Sequence, residues 1–228
     1  MTDLLQHQIE YYRARAPEYD EWFYRLGRYD RGEAHTRQWE GEAWQVRDHL
    51  HSQSGFEHIL EMAPGTGIWT SELISLGERV TALDASPEMI AINRAKLGSD
   101  RVDYHLTDLF EWRPQRRYDM VFFGFWLSHV PSTKLTPFLD TVHAALKPGG
   151  RLFIVDSLEP DLSSSRTRTE NLNGHLQQRV LKDGRRYEIV KIYYEPARLS
   201  ETLRHHGFDI EVQATESFFL YADGRRAS

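Results

Sequence analysis

The chain has 228 residues, of which 40% are hydrophobic and 27% are charged, and its formal net charge is −6. This size and balance favour one sizeable α/β domain and argue against a surface that follows nucleic-acid phosphates, so no nucleic-acid partner is expected. The chain has no cysteine, which excludes disulfides, thiolate catalysis and cysteine-based zinc sites, and no metal site is predicted.

The sequence shows no signal for export or for membrane insertion. Residues 1–8 lack the basic start and apolar centre of a signal peptide. The longest apolar stretch, Met120 to Leu127, is far too short to cross a bilayer. We therefore expect a cytoplasmic protein without a membrane partner.

Residues 1–52 are predicted to form a helical segment that is rich in aromatic side chains. A second helix within it is expected from about Glu33 to His51, where Trp39, Trp44 and Leu50 form a partial apolar stripe.

Residues 53–228 are predicted to form the core, in which apolar strands alternate with helices. This alternation predicts a parallel sheet with helices on both faces. The expected strands are 58–62, 79–83, 102–106, 119–123 and 151–156, and the expected helices are 68–76, 86–97 and one that starts near Thr136-Pro137.

The C-terminal part departs from this alternation between about residues 158 and 195. Residues 159–175 are polar and predict a loop, whereas 177–181 and 185–194 predict a hairpin around Asp183-Gly184. A helix from Pro196 to His206 and strands at 209–214 and 217–222 are expected to follow, with an antiparallel last strand that closes the sheet.

The most informative motif is Ile59 to Gly67, which reads ILEMAPGTG. An apolar run enters the acid Glu61 and then a turn of small residues, and a second apolar run ends on Asp84. A strand, a turn that exposes backbone and an acid at the next strand's tip form a nucleoside pocket. At this point the chain resembles the class I S-adenosylmethionine (SAM)-dependent methyltransferases.

The same turn could instead bind a dinucleotide, or no ligand at all. A dinucleotide fingerprint needs three glycines, but here Ala63 or Thr70 occupies one of the three positions, depending on the reading frame. The charge of Glu61 would also oppose a pyrophosphate, whereas SAM is cationic overall. We therefore favour SAM as the cofactor.

The resemblance, which covers about residues 57 to 157, implies which residues hold SAM. The turn would pack against its methionine portion through Glu61, Ala63, Gly65 and Gly67, with alanine where the family usually has glycine. Asp84 would accept hydrogen bonds from both ribose hydroxyls, although it could also be a helix cap. The further residues implied to bind SAM are Ala85, Met89, Asp108, Leu109, Phe123, Gly124 and Phe125.

Methyl transfer from a sulfonium is a direct displacement, so the protein mainly aligns the acceptor and excludes water. A general base is needed only if the acceptor loses a proton, and His129 is the best-placed candidate, with packing as the alternative. Arg28 and Arg37 could bind an acceptor's carboxylate or phosphate. The resemblance also implies that residues 1–52 fold over the cleft as a lid, by analogy with many relatives. The candidate acceptor-pocket residues are Tyr12, Tyr19, Trp22, Tyr24 and Trp126.

The leading hypothesis is an enzyme that methylates O, N or C of a small molecule. The alternatives are SAM-dependent chemistry without methyl transfer, and a non-catalytic SAM-binding subunit that regulates or scaffolds a partner. The predicted hairpin could be a second wall of the acceptor pocket or the arm of a homodimer.

Overall fold

The computed structural model describes residues 2–158 and 175–227, so most of the predicted polar loop lies outside the described residues. The helices of the described residues are α1 (Thr2–Arg15), α2 (Tyr19–Phe23), α3 (Glu33–Leu50), α4 (Thr70–Leu76), α5 (Pro87–Leu97), α6 (Ser132–Ala145) and α7 (Pro196–His205). The strands are β1 (Phe56–Met62), β2 (Gly77–Asp84), β3 (Val102–Leu106), β4 (Tyr118–Gly124), β5 (Leu146–Ser157), β6 (Leu176–Val180), β7 (Arg186–Val190), β8 (Phe208–Ala214) and β9 (Phe219–Arg226).

Seven strands form one sheet in the order β3-β2-β1-β4-β5-β9-β8. The pairs among β1 to β5 are parallel, and β9 runs antiparallel to both β5 and β8. The predicted fold class, a Rossmann-like, mostly parallel sheet with an antiparallel last strand, is confirmed. The chain moves outward from β1 to β3 and then crosses back to β4, so the order reverses between β1 and β4, where such sheets bind ligands.

The sheet is buried on both faces because its central strands alternate their apolar side chains. Leu60 and Met62 of β1 pack on one face with side chains of α6 and α7. Ile59 packs on the other face with side chains of α3 and α4. This two-sided core fixes the edge at which the parallel strands end together.

Several element boundaries differ from the sequence-based prediction, among them the starts of α6 and β5. Helix α6 begins at Ser132, before the predicted start, and contains Pro137 in its interior. Proline is common in the first turn of a helix but also occurs elsewhere, and here the N-cap position is occupied by Pro131. Strand β5 begins at Leu146, five residues before the predicted start at residue 151, and its pairing with β4 has a register shift between Tyr118 and Met120.

The N-terminal helix α1 packs against the hairpin that β6 and β7 form, which is present as predicted. Tyr11 of α1 is buried there with Leu181 and Ile189 of the hairpin segment. This contact holds two distant segments together above the sheet edge. In the described residues, no helix combines the length and the apolar character needed to span a membrane.

Candidate functional site

A cleft of about 740 Å³, partly open to solvent, lies where β1, β2, β3 and β4 end. We call it the strand-end cleft. Parallel strands present their carboxyl ends at one edge, so residues just after each strand converge there. The lining residues are Leu5, Gln8, Ile9, Tyr12, Tyr19, Ala63, Gly65, Asp84, Ala85, Ser86, Met89, Asp108, Leu109, Phe110, Gly124, Phe125, Trp126 and His129.

The turn after β1 brings backbone into the strand-end cleft. Ala63 has φ of 55° and Gly65 has φ of 54°, both in the left-handed region. For alanine this conformation costs about 1 kcal/mol or more, and such strain concentrates at functional sites. The Ala63 amide donates to Leu83 O at 2.8 Å, which ties the turn to the neighbouring strand.

Asp84, at the tip of β2, is held in a fixed orientation by backbone amides. Its Oδ2 accepts from the Gly65 amide at 3.1 Å and its Oδ1 accepts from the Ser86 amide at 2.8 Å. Burial raises the pKa of Asp84 to about 6, although these amide hydrogen bonds lower it. The carboxylate therefore offers an oriented pair of oxygens that suits a vicinal diol.

The other walls of the strand-end cleft follow β3 and β4 and the start of α5. Asp108 Oδ1 accepts from the Phe110 amide at 2.9 Å, which orients the carboxyl group beside the buried Leu109. Phe125 has φ of 55°, and its amide donates to Val155 O at 2.7 Å. The buried Met89 lies opposite, in the first turn of α5.

Three residues predicted to contact SAM lie behind the strand-end cleft instead of lining it. Glu61 is only 1% exposed, bonds with Thr70, and has a pKa that burial raises to about 8. A Cβ on Gly67 would lie 2.7 Å from Asn93 Oδ1, so this glycine allows close packing. Phe123 is buried in the core. Side chains of strand residues point to the faces of the sheet, which explains the placement of Glu61 and Phe123.

A second pocket, of about 490 Å³ and partly open to solvent, adjoins the first. We call it the cationic pocket because three basic side chains line it. Its lining residues are Tyr12, Arg15, Tyr19, Trp22, Tyr29, Phe125, His129, Ser157, Arg179, Lys191 and Tyr193.

Two of the three basic side chains of the cationic pocket contact neighbours that orient them. Lys191 is 5% exposed, and its Nζ donates to Ser128 Oγ at 2.7 Å and to Asp156 Oδ1 at 3.3 Å. The Arg15 guanidinium lies 4.9 Å from the centroid of the Tyr19 ring, in a cation–π contact.

Arginine side chains dominate the charge around Tyr29, which lines the cationic pocket. Although burial acts to raise the pKa of Tyr29, the guanidiniums of Arg15, Arg28 and Arg179 lower it below its usual 10.0. Arg15 Nη2 also donates to the Tyr29 hydroxyl at 3.3 Å. A buried phenol with a lowered pKa reports an environment that favours negative charge.

His129 lies on the wall between the two pockets, and both of its ring nitrogens are hydrogen-bonded. Nδ1 is 2.6 Å from Val190 O and Nε2 is 2.7 Å from the Tyr12 hydroxyl. Burial, with the nearby Lys191 charge, lowers the pKa of His129 well below its usual 6.5, so its imidazole is neutral at pH 7.

The aromatic residues predicted for the acceptor pocket divide between the two pockets. Tyr12 and Tyr19 line both, Trp22 lines the cationic pocket and Trp126 lines the strand-end cleft. Tyr24 is 49% exposed and lies outside both linings.

The two arginines predicted to bind an anionic acceptor lie outside both linings. Arg28 pairs with Glu18 and donates to Val180 O at 2.7 Å. Arg37 pairs with Glu33 on the exposed side of α3. The structure thus brings other basic residues to the candidate acceptor site.

Sequence reasoning missed Arg15, Tyr29, Arg179 and Lys191, and it missed the α1 residues Leu5, Gln8 and Ile9. For α1 a signal was present, because Leu5, Gln8, Ile9 and Tyr12 are spaced to share one helix face. No local pattern marks Arg179, which lies in β6, or Lys191, which directly follows β7.

Comparison with known proteins identifies the family. The family described as "Methyltransferase domain" matches residues 59–150. A solved DhpI–SAH complex is 36% identical, covers 100% of this chain and 98% of that chain, and superposes with a TM-score of 0.82. A DhpI–SAM–HEP complex is also 36% identical, covers 97% of each chain and has a TM-score of 0.81. The chain therefore belongs to the class I SAM-dependent methyltransferases, whose cofactor is SAM.

Curated relatives match shorter segments. The ubiquinone biosynthesis O-methyltransferase of Xylella fastidiosa (strain 9a5c) is 31% identical over 158 residues, which are 67% of this chain and 61% of that protein. The demethylmenaquinone methyltransferase of Clavibacter sepedonicus is 34% identical over 106 residues, which are 46% of this chain and 42% of that protein. The chain thus spans about half the length of these curated relatives.

Proposed function

We propose that this chain transfers a methyl group from SAM to an O, N or C atom of a small-molecule acceptor that carries an anionic group. The observation that carries the proposal is the meeting of two unlike pockets. The strand-end cleft holds acids and exposed backbone, the cationic pocket holds three basic side chains, and both share Tyr12, Tyr19, Phe125 and His129.

The residues of the strand-end cleft fit SAM. Asp84 presents two oriented oxygens for the ribose diol, and Asp108 presents a carboxyl group beside the apolar surfaces of Leu109 and Met89, which suit the adenine. The strained turn at Ala63 opens backbone toward the methionine portion. Bound SAM supplies a methyl group on a sulfonium, which is a good leaving group.

The cationic pocket supports an acceptor with a negative group. Asp156 offsets the charge of Lys191, but the lining includes two further guanidiniums, those of Arg15 and Arg179. Buried charges are costly unless they are paired, so an anion that pairs with them is stabilised. The N–H donors of an arginine guanidinium are arranged so that two of them can bind a carboxylate or a phosphoryl group together.

The N-terminal segment, residues 1–52, is proposed to act as a lid on the core of residues 53–228. Helix α1 contributes one face to the strand-end cleft, and Arg13 at its end forms an exposed ion pair with Glu88 of α5 at 2.9 Å. Covering the cleft excludes water, and the aromatic side chains supply flat surfaces against which an acceptor can align.

Calorimetric titration tests this function, first with SAM and SAH and then with inorganic phosphate as a probe of the cationic pocket in the SAH complex. We expect SAM and SAH to bind, and we expect phosphate to bind saturably. Arg179→Gln should weaken phosphate binding about ten- to hundred-fold, because it removes a charged hydrogen-bond donor.

Arg186→Gln is the matched control, since Arg186 belongs to the same hairpin but is exposed, and its guanidinium donates to Gln178 Oε1 at 3.3 Å. This control should bind phosphate like the wild type. If neither SAM nor SAH binds, the proposed function is wrong. If both bind but phosphate affinity is the same in the two variants, the anionic acceptor is wrong. Screening anionic small molecules for methylated products by mass spectrometry then identifies the acceptor atom.

A further inference from the structure

This inference rests on the proposed function, in which SAM occupies the strand-end cleft and the acceptor occupies the cationic pocket. The methyl group must then pass between the two pockets at the residues that line both. These residues are Tyr12, Tyr19, Phe125 and His129. The hydrogen bonds of Tyr12 and His129 determine which of their atoms can face the methyl group.

The direction of these hydrogen bonds follows from the Val190 carbonyl. A carbonyl oxygen only accepts, so His129 Nδ1, at 2.6 Å from Val190 O, carries the hydrogen. A neutral imidazole then has no hydrogen on Nε2, which must accept from the Tyr12 hydroxyl at 2.7 Å. The hydroxyl hydrogen of Tyr12 is thereby committed to His129, and the oxygen keeps its lone pairs.

Gln8, one helical turn before Tyr12, holds His129 and Val190 in their relative positions. Its Nε2 donates to His129 O at 3.1 Å, and its Oε1 accepts from the Val190 amide at 3.1 Å. The side chain of Gln8 therefore bridges the same two residues that orient the Tyr12 hydroxyl. Burial raises the pKa of Tyr12 well above its usual 10.0, so the phenol stays protonated.

We propose that Tyr12 Oη is a catalytic contact that accepts C–H hydrogen bonds from the sulfonium methyl group of SAM, and that His129 and Gln8 are positioning residues that orient it. An adjacent positive charge polarises the methyl C–H bonds, which favours an oxygen acceptor. His129, the residue that the sequence analysis predicted as a general base, acts here through Tyr12.

The transfer balances without a proton moving to the protein. An electron pair of the acceptor forms the new bond to the methyl carbon, while the pair of the broken carbon–sulfur bond stays on sulfur and leaves a neutral thioether. Tyr12 keeps its proton throughout, and any proton that a neutral acceptor carries is lost to solvent.

The test compares the affinities for SAM and for SAH, which differ by the methyl group and its charge. Tyr12→Phe should weaken SAM binding about two- to five-fold and leave SAH binding unchanged. His129→Phe, which frees the Tyr12 hydroxyl to rotate, should shift the same ratio in the same direction. Tyr11→Phe is the control, since Tyr11 neighbours Tyr12 on α1 but packs against the hairpin.

Each outcome decides the inference. A lower preference for SAM over SAH in the Tyr12 and His129 variants, with Tyr11→Phe unchanged, supports it. An unchanged preference, or an equal loss of SAM and SAH in Tyr12→Phe, overturns it while the proposed function stands. If the wild type binds neither compound, the proposed function fails and the inference fails with it.

Discussion

Replacing Glu61 with glutamine measures the electrostatic cost of the acid that is buried behind the turn. Glu61 is 1% exposed, and burial raises its pKa from the usual 4.5 to about 8. The hydrogen bond with Thr70 opposes this rise, and the charge of Asp84 adds to it. In the folded protein this carboxyl group is therefore protonated at neutral pH, whereas in the unfolded chain it is ionised.

The sign of the pH dependence follows from proton binding. Between about pH 4.5 and 8 the folded state holds a proton that the unfolded state has released, so the free energy of unfolding falls as pH rises. At 1.36 kcal/mol per pH unit, the loss reaches about 3 kcal/mol at pH 7 and about 5 kcal/mol well above pH 8. Glutamine has the shape of the acid but cannot ionise, so Glu61→Gln should remove this loss.

The assay is urea unfolding of the wild type and of Glu61→Gln at intervals from pH 5 to pH 8. We expect the variant to gain about 3 kcal/mol relative to the wild type between these two pH values. Glu57→Gln is the control on the same strand, since the Glu57 side chain is 63% exposed. A difference between Glu61→Gln and wild type that stays constant with pH would refute the reasoning.

Two further predictions concern the turn and its acid. Asp84→Asn should weaken SAM and SAH alike, about ten- to hundred-fold, by calorimetric titration. Wild-type affinity for both should fall below about pH 6, because burial raises the pKa of Asp84 to about 6 and a protonated carboxyl group accepts less well; pH-independent affinity would contradict this. Gly67→Ala should lower the free energy of unfolding, measured in urea, by more than Gly98→Ala does. Both glycines have positive φ, but only the Gly67 substitution meets Asn93, at 2.7 Å, so equal losses would contradict the packing argument.

Local sequence patterns predicted most of the sheet and the acids at its edge. Strand–helix alternation indicates parallel strands, and acids at or just beyond the ends of such strands, as Asp84 and Asp108 are, must meet at one edge. Helix boundaries were less predictable. The start of α6 was placed near Pro137, but proline inside a helix is tolerated when neighbouring turns pack well, as Phe138 and Leu139 do in the core.

The motif around Glu61 was recognised from sequence, but the position of its side chain was not. Glu61 precedes the last residue of β1, so strand alternation sends its side chain to the helix-covered face of the sheet. A motif states which residues occur together, whereas their orientation depends on where the strand ends. A shift of one residue decides whether a side chain faces the strand-end cleft or is buried beneath a helix, as Glu61 is.

By itself the sequence determined the fold class, the strand-end cleft and the cofactor, because these depend on short-range patterns within β–turn–α units. Only the tertiary structure assembled the cationic pocket, since Arg15 ends α1, Arg179 lies in β6 and Lys191 directly follows β7. Tyr11 and Ile189 hold these segments together through apolar contact. Such contact is non-directional and leaves no local signature from which the position of a distant basic residue could be predicted.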